Sequence, residues 1–191
     1  MEKDHQKTDV ESISDEMLVS RTTETNDTYW YGMLYDRYSH RVYHKCLSFT
    51  RSVEEAQDLT HDIFVQLFVK LRTFRGESRF STWLYAFVYN FCVNYVQRNL
   101  NKYRQTFVPT DDFKDEAAEI EDDAIFGLKE AALMKILDMI SPDDKMILLM
   151  KYQDDFSIRD ISSALNIGES AAKMRLKRAK HRLLELHNEI N

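Results

Sequence analysis

Little in this chain can build a large sheet, a disulfide framework or a phosphate-binding loop. Glycine and proline are scarce, four and two in 191 residues. Runs of Val, Ile and Thr with period-two alternation are few as well, so an all-helical chain is expected. Cys46 and Cys92 stand far apart and outside any CxxC pair, which points to ordinary buried thiols in a reducing compartment. No uninterrupted apolar run nears the roughly twenty residues that span a bilayer. The N-terminal stretch MEKDHQKTDVESISDE is hydrophilic and mostly acidic, so neither a targeting segment nor membrane insertion is expected, and the location should be cytoplasmic. With no Gly-rich phosphate loop and no nucleophile elbow, nothing points to an enzyme or a cofactor. His40 and His44 lie one helical turn apart, a spacing that can chelate a metal. No cysteine partner accompanies them at matching spacing, so no metal site is expected.

Charge of the positive sign is in deficit. Lys and Arg number 26 against 32 Asp and Glu, a formal net charge of −6. That sum counts against nucleic-acid binding, but its distribution matters more. Acids concentrate at the N-terminus and in the middle, while Lys173 to Arg182 is strongly basic. The asymmetry suggests a local DNA contact restrained by acidic segments elsewhere.

What is present is helical periodicity with clear start signals. Ser14 caps a short helix that opens Asp15-Glu16. A helix from about Thr28 to Thr50 carries Trp30, Leu34, Tyr38, Val42 and Cys46 as a one-turn ladder. Ser52-Val53-Glu54-Glu55 has the form of a capping box and starts a third helix. Ala56, Leu59, Ile63, Leu67 and Leu71 form its core stripe, with Phe64 and Phe68 beside it. Asp58, Asp62 and Gln66 form a separate polar ladder, which by itself reads as a solvated face.

Phe74 to Asn94 is the most distinctive stretch. The polar loop Phe74-Arg75-Gly76-Glu77-Ser78-Arg79 leads into a segment dense in aromatics. Leu84, Phe87, Val88, Phe91 and Tyr95 give the expected buried stripe. Arg79, Trp83, Asn90 and Asn94 fall on or near the other side. An indole and two amides on an open face suit unstacked bases, which rings stack on and amides read. A well-packed helix with surplus core aromatics explains the same residues equally well.

From Asn101 the pattern dissolves into an acidic linker containing Pro109, and helical periodicity resumes near Ala124 with Ile125, Leu128, Ala132, Ile136 and Ile140. Ser141-Pro142-Asp143-Asp144 is a strong helix start. Ser157-Ile158-Arg159-Asp160 opens a short helix through Leu165, and Asn166-Ile167-Gly168 makes a tight turn. The last helix, Glu169 to about His187, turns Ala172, Leu176, Ala179, Leu183 and Leu186 inward. Lys173, Arg175, Lys177, Arg178, Lys180 and Arg182 crowd its outer faces. A basic amphipathic helix alone suits a membrane, a protein partner or DNA. The capped helix and turn before it favour a DNA-binding helix-turn-helix.

LYDRYSHRVY (34–43), AQDLTHDIFVQLFVKL (56–71) and FRGESRFSTWLY (74–85) together resemble region 2 of the sigma-70 family of RNA polymerase sigma factors. ISPDDKMILLMKY (140–152) and SIRDISSALNIGESAAKMRLKRAKHRLLEL (157–186) resemble its region 4, in the pattern of the extracytoplasmic-function group. The resemblance implies an all-α chain of two small helical domains joined by an acidic linker. It divides as a mobile tail 1–13, a region 2-like domain 14–100, a linker 101–123 and a region 4-like helix-turn-helix domain 124–191. It implies that Asp58, Asp62 and Gln66 dock on the clamp helices of the polymerase largest subunit. Phe74, Arg75, Gly76, Ser78, Arg79, Trp83, Asn90 and Asn94 would then contact melted −10 DNA. Ser170, Lys173, Arg175, Lys177 and Arg178 would contact the −35 duplex. Core RNA polymerase, including its flap region, and promoter DNA are the implied partners, with an anti-sigma factor as a further expected one. Several positions depart from the family pattern. Ala86 and Val93 stand where many relatives carry a basic residue, and Gly168 where many carry a capping serine. Ser170-Ala171-Ala172 replaces a common Gly-Thr-Val, and Met174 a frequent serine. A −35 role therefore follows, but not the bases it reads. The rival from the residues alone is a helix-turn-helix regulator acting without polymerase.

Overall fold

The computed structural model describes residues 13–99 and 121–190. The expected tail, apart from residue 13, and the expected linker up to residue 120, Pro109 included, lie outside the described residues. Every regular element among the described residues is helical. The chain divides into two compact units between Val88 and Tyr89, and each is taken by itself below.

In the first unit, α1 (Asp15–Thr25), α2 (Thr28–Phe49) and α3 (Val53–Lys70) precede a single 3-10 turn, Leu71–Thr73, and α4 (Phe80–Arg98) begins near its end. Each of the first three starts on a side-chain cap. Ser14 accepts from the Met17 amide, Asp27 from that of Tyr29 and Ser52 from that of Glu55, each satisfying an otherwise orphaned donor. The return contact of the expected Ser52 box shifts by one residue, since the Glu55 carboxylate accepts from the Arg51 amide at 3.3 Å. Asp15 binds the Arg37 guanidinium and accepts from the Tyr38 hydroxyl, fastening the start of α1 to α2. Leu18, Leu34, Val42, Cys46, Ala56, Ile63, Leu67 and Leu71 fill the core. The ladder on α2 is observed from Leu34 onward, but Trp30 is only half-buried. The Arg21 guanidinium lies over its ring, 4.8 Å from the centroid. Lys45 is buried with its ammonium 4.4 Å from the Tyr85 ring centroid, a favourable position for a desolvated cation.

In the second unit, the periodicity expected to run unbroken from Ala124 to Ile140 is interrupted. A short turn, α5 (Asp123–Phe126), stops at Gly127, and α6 (Glu130–Leu137) starts after Lys129, whose backbone is extended. Glycine is a poor helix former, and the break lies where it stands. Ile125, Ile136 and Ile140 are nonetheless buried, so the apolar spacing survives the interruption. Helix α7 (Pro142–Tyr152) has its Ser141 cap and Pro142 in the first turn. Helix α8 (Ile158–Leu165) carries a complete Ser157–Asp160 capping box. Asn166 then adopts the left-handed conformation, φ 51°, and turns the chain into α9 (Glu169–Ile190). The Ser162 hydroxyl donates to the Ile167 carbonyl at 2.6 Å, locking that corner. Asp122 accepts from the Tyr152 hydroxyl and the Lys180 ammonium, both at 2.6 Å.

Two outcomes follow from these contacts. Ser157→Ala removes the cap of α8 and should lower the unfolding free energy by about 1 kcal/mol, read from chemical denaturation. The Lys180 and Tyr152 hydrogen bonds hold the Asp122 carboxyl below its ordinary value. Such a group stabilises the fold while ionised, so its contribution is whole at neutral pH and disappears as pH falls through the folded-state value. With its side chain 45% exposed, solvent screening keeps that contribution below about 1 kcal/mol. Asp122→Asn should therefore lower the melting temperature slightly at neutral pH and not at all once the pH has fallen below the folded-state value of that carboxyl.

Candidate nucleic-acid and protein-docking faces

The Phe74–Arg79 loop is pinned at both ends and open in the middle. The Phe74 amide donates to the Leu71 carbonyl at 3.0 Å. At the far end, the Phe80 amide donates to the Glu16 carboxylate of α1 at 3.2 Å. Between them Gly76 has φ +71° with nothing near the position a Cβ would take. The demand there is on backbone conformation, since an L-residue in that region costs about 1–2 kcal/mol. Arg75, Gly76 and Arg79 are exposed; Phe74 and Ser78 are half-buried. The Ser78 hydroxyl donates to the Arg79 carbonyl at 3.3 Å.

Phe80 is completely buried and anchors a ring cluster. Its centroid lies 5.6 Å from Phe74, edge-on, and 5.9 Å from Trp83. Trp83 is half-buried, 5.5 Å from Phe74 and 6.2 Å from Phe87, with the Phe87 plane turned only 9° from its own. These separations fall in the favourable range for aromatic pairs.

The buried stripe of α4 differs from the expected one. Leu84 and Val88 are buried, but Phe87, Phe91 and Tyr95 are only half-buried. Tyr85, Tyr89, Cys92, Val93 and Val96 are buried in their place. At 3.6 residues per turn the stripe is rotated by about 80°. That rotation sets Trp83, Asn90 and Asn94 opposite the core on one ridge, with Phe87 beside them. Asn94 is exposed, and the half-buried Asn90 amide donates to the Ala164 carbonyl at 3.2 Å. Sequence reasoning missed Phe87, which it assigned to the core; its one-turn spacing from Trp83 was the available signal.

On α3, Asp58, Asp62 and Gln66 are all exposed. Val65 and Val69 lie on the same arc, about 100° wide, and are 54% and 67% exposed. A solvated ladder needs no valines. Two of them among carboxylates make a mixed acidic and apolar face, of the composition that suits a protein partner. Sequence reasoning missed both because an exposed valine and a core valine are alike in a periodic pattern.

On α9, Ala172, Leu176, Ala179, Leu183 and Leu186 are buried. Ser170, Lys173 and Arg178 are exposed and Lys177 half-buried on the outward half of the helix. Arg175, also exposed, lies about 120° from the centre of that face. With Arg182 it acts on Asp144 of α7, whose carboxyl burial pushes up and those two charges and Ser141 pull down. The structure thus groups four of the five expected −35 residues and sets the fifth on a flank. Among the described residues no three His, Cys, Asp or Glu side chains gather as a metal-binding group, and no helix is long and apolar enough to cross a membrane.

Comparison with known proteins accounts for both blocks. Residues 34–101 match the family model of Sigma-70 region 2, and residues 130–183 that of Sigma-70, region 4. The chain is 24% identical over 156 residues to the ECF RNA polymerase sigma factor SigW of Bacillus subtilis, covering 78% of this chain and 83% of that one. It is 25% identical over 174 residues to the RNA polymerase sigma-H factor of Pseudomonas aeruginosa, covering 87% and 90%. Its fold is similar to that of the sigma factor RpoE of Bartonella quintana, solved in complex with the anti-sigma factor NepR. That likeness has a TM-score of 0.57 at 18% identity, over 82% of this chain and 95% of that one. With the two sigma-70 regions matched in order along one polypeptide, the chain belongs to the sigma-70 family, in its ECF group.

Proposed function

We propose that this sigma factor binds core RNA polymerase and directs promoter-specific initiation in the cytoplasm, with no catalysis of its own. In this reading the acidic and apolar face of α3 docks on the clamp helices of the largest polymerase subunit. The C-terminal unit works beside the flap region. The outward half of α9 holds −35 duplex DNA, with Lys173, Lys177 and Arg178 on phosphates and Ser170 near base edges. The Phe74–Arg79 loop and the Trp83–Asn90–Asn94 ridge take unstacked −10 bases. An anti-sigma factor belongs to the proposal as a regulator, supported by the complex in which the RpoE relative was solved.

The observation that carries this reading is the ridge opposite the core of α4. A flat ring, a second ring parallel to it and two amides share one helical face beside an exposed arginine-bearing loop. Base flipping costs a few kcal/mol, and stacking on one aromatic returns about 1–3 kcal/mol per base. A ring and a few hydrogen bonds together are of the right size. The net charge of −6 opposes binding of the free chain to DNA, so polymerase is needed to place α9 on the duplex.

Run-off transcription with core polymerase on a responsive promoter tests the reading. A promoter-dependent product supports it. Tight operator binding by the isolated chain, with no such product, would instead favour a regulator independent of polymerase. Trp83→Ala or Asn90→Ala should lower open-complex formation roughly tenfold or more while leaving affinity for core polymerase unchanged. Asp58→Lys with Asp62→Lys, or Val65→Glu alone, should do the converse, abolishing core binding in a pull-down. Equal loss of both activities in either set contradicts the division of roles.

A further inference from the structure

We propose that His40 and His44 form a solvent-exposed, two-imidazole chelate for a divalent transition-metal ion of the zinc, nickel or copper(II) class. Both side chains are exposed and lie on the ridge of α2 opposite its buried Leu34, Tyr38, Val42 and Cys46. Their Nε2 atoms are 3.2 Å apart, and the ring centroids 4.4 Å with planes at 62°. Two metal–nitrogen bonds of about 2.0–2.1 Å spanning that gap meet at about 100–105°. This angle lies between the ideals of octahedral and tetrahedral coordination, so the nitrogen separation suits either. The two Nε2 atoms lie within hydrogen-bond distance of each other, which keeps the pair in register.

The donor set selects the ion. Neutral imidazole suits zinc, nickel and copper(II), whereas magnesium and calcium require oxygen ligands. Since no third His, Cys, Asp or Glu joins them among the described residues, the ion keeps its remaining positions for water or for a donor from another molecule. That separates this site from a closed structural zinc site, in which four protein ligands exclude solvent. Asp36 lies one turn before His40 but completes no three-residue group with the pair, so among the described residues the site is of the open kind.

The test uses the full chain with nickel chloride in calorimetry and copper(II) in electron paramagnetic resonance. One saturable ion per chain is expected beyond whatever a His40→Gln/His44→Gln variant retains, together with nitrogen couplings from two equatorial imidazoles. Each single variant should lose the saturable phase and one imidazole coupling. His61→Ala, at another exposed histidine, should keep both. Magnesium chloride should give no saturable heat. Unchanged stoichiometry in the double variant, with its circular dichroism matching wild type, would overturn the proposal by placing the ion elsewhere. No saturable binding by the wild-type chain would overturn it outright.

Discussion

A single carboxylate crosses the first unit to decide where α4 begins. Glu16, in the first turn of α1, accepts the backbone N–H of Phe80 at 3.2 Å. The first donors of a helix have no partner within it, and a charged acceptor there contributes on the order of 1.5–3 kcal/mol. Full burial of the Phe80 ring adds a similar amount. Edge contacts with Tyr38 and Phe74 add about 0.5–1.5 kcal/mol each. The start of α4 is therefore fixed more firmly than any one of its later contacts. Since each residue turns a helix by about 100°, moving that start by one position would swing Trp83 from the open ridge toward the core.

How much of this was legible in the sequence depended on whether the information was local. The serine caps at positions 14, 52, 141 and 157 and the left-handed Asn166 are decided within four residues, and each is observed. The core stripe of α3 was equally legible, because polar residues flank it. Helix α4 was not. With apolar side chains at nearly every azimuth, periodicity cannot choose a stripe, and packing against neighbours chose one rotated by about 80°. The Glu16 contact joins residues 64 apart in sequence and left no local mark. The interruption at Gly127 was missed because the isoleucine spacing continues through it. On α3 and α9 the charged residues singled out from the sequence are exposed or half-buried, with Arg175 on a flank, while separating Val65, Val69 and Phe87 from the core needed the fold itself.

The distribution of charge takes on meaning once the faces are assigned to elements. Acidic groups and valines occupy the outer face of α3, and cations the outer face of α9, with the two regions matched separately to the sigma-70 family. A surface meant for a protein benefits from apolar area framed by charge, whereas one meant for DNA needs cations against phosphate. Placing these on different helices lets each be tuned without harm to the other. The same separation lets a chain with a summed charge of −6 still carry one locally cationic helix.

The two tryptophans have an optical corollary. The chain contains only Trp30 and Trp83, and Trp30 lies beneath the Arg21 guanidinium. Replacing Trp30 with phenylalanine would leave one indole emitter, on the α4 ridge beside Phe87. Under the proposed role of that ridge, its fluorescence would report each arrival and departure of a stacked base, with no dye attached to protein or promoter.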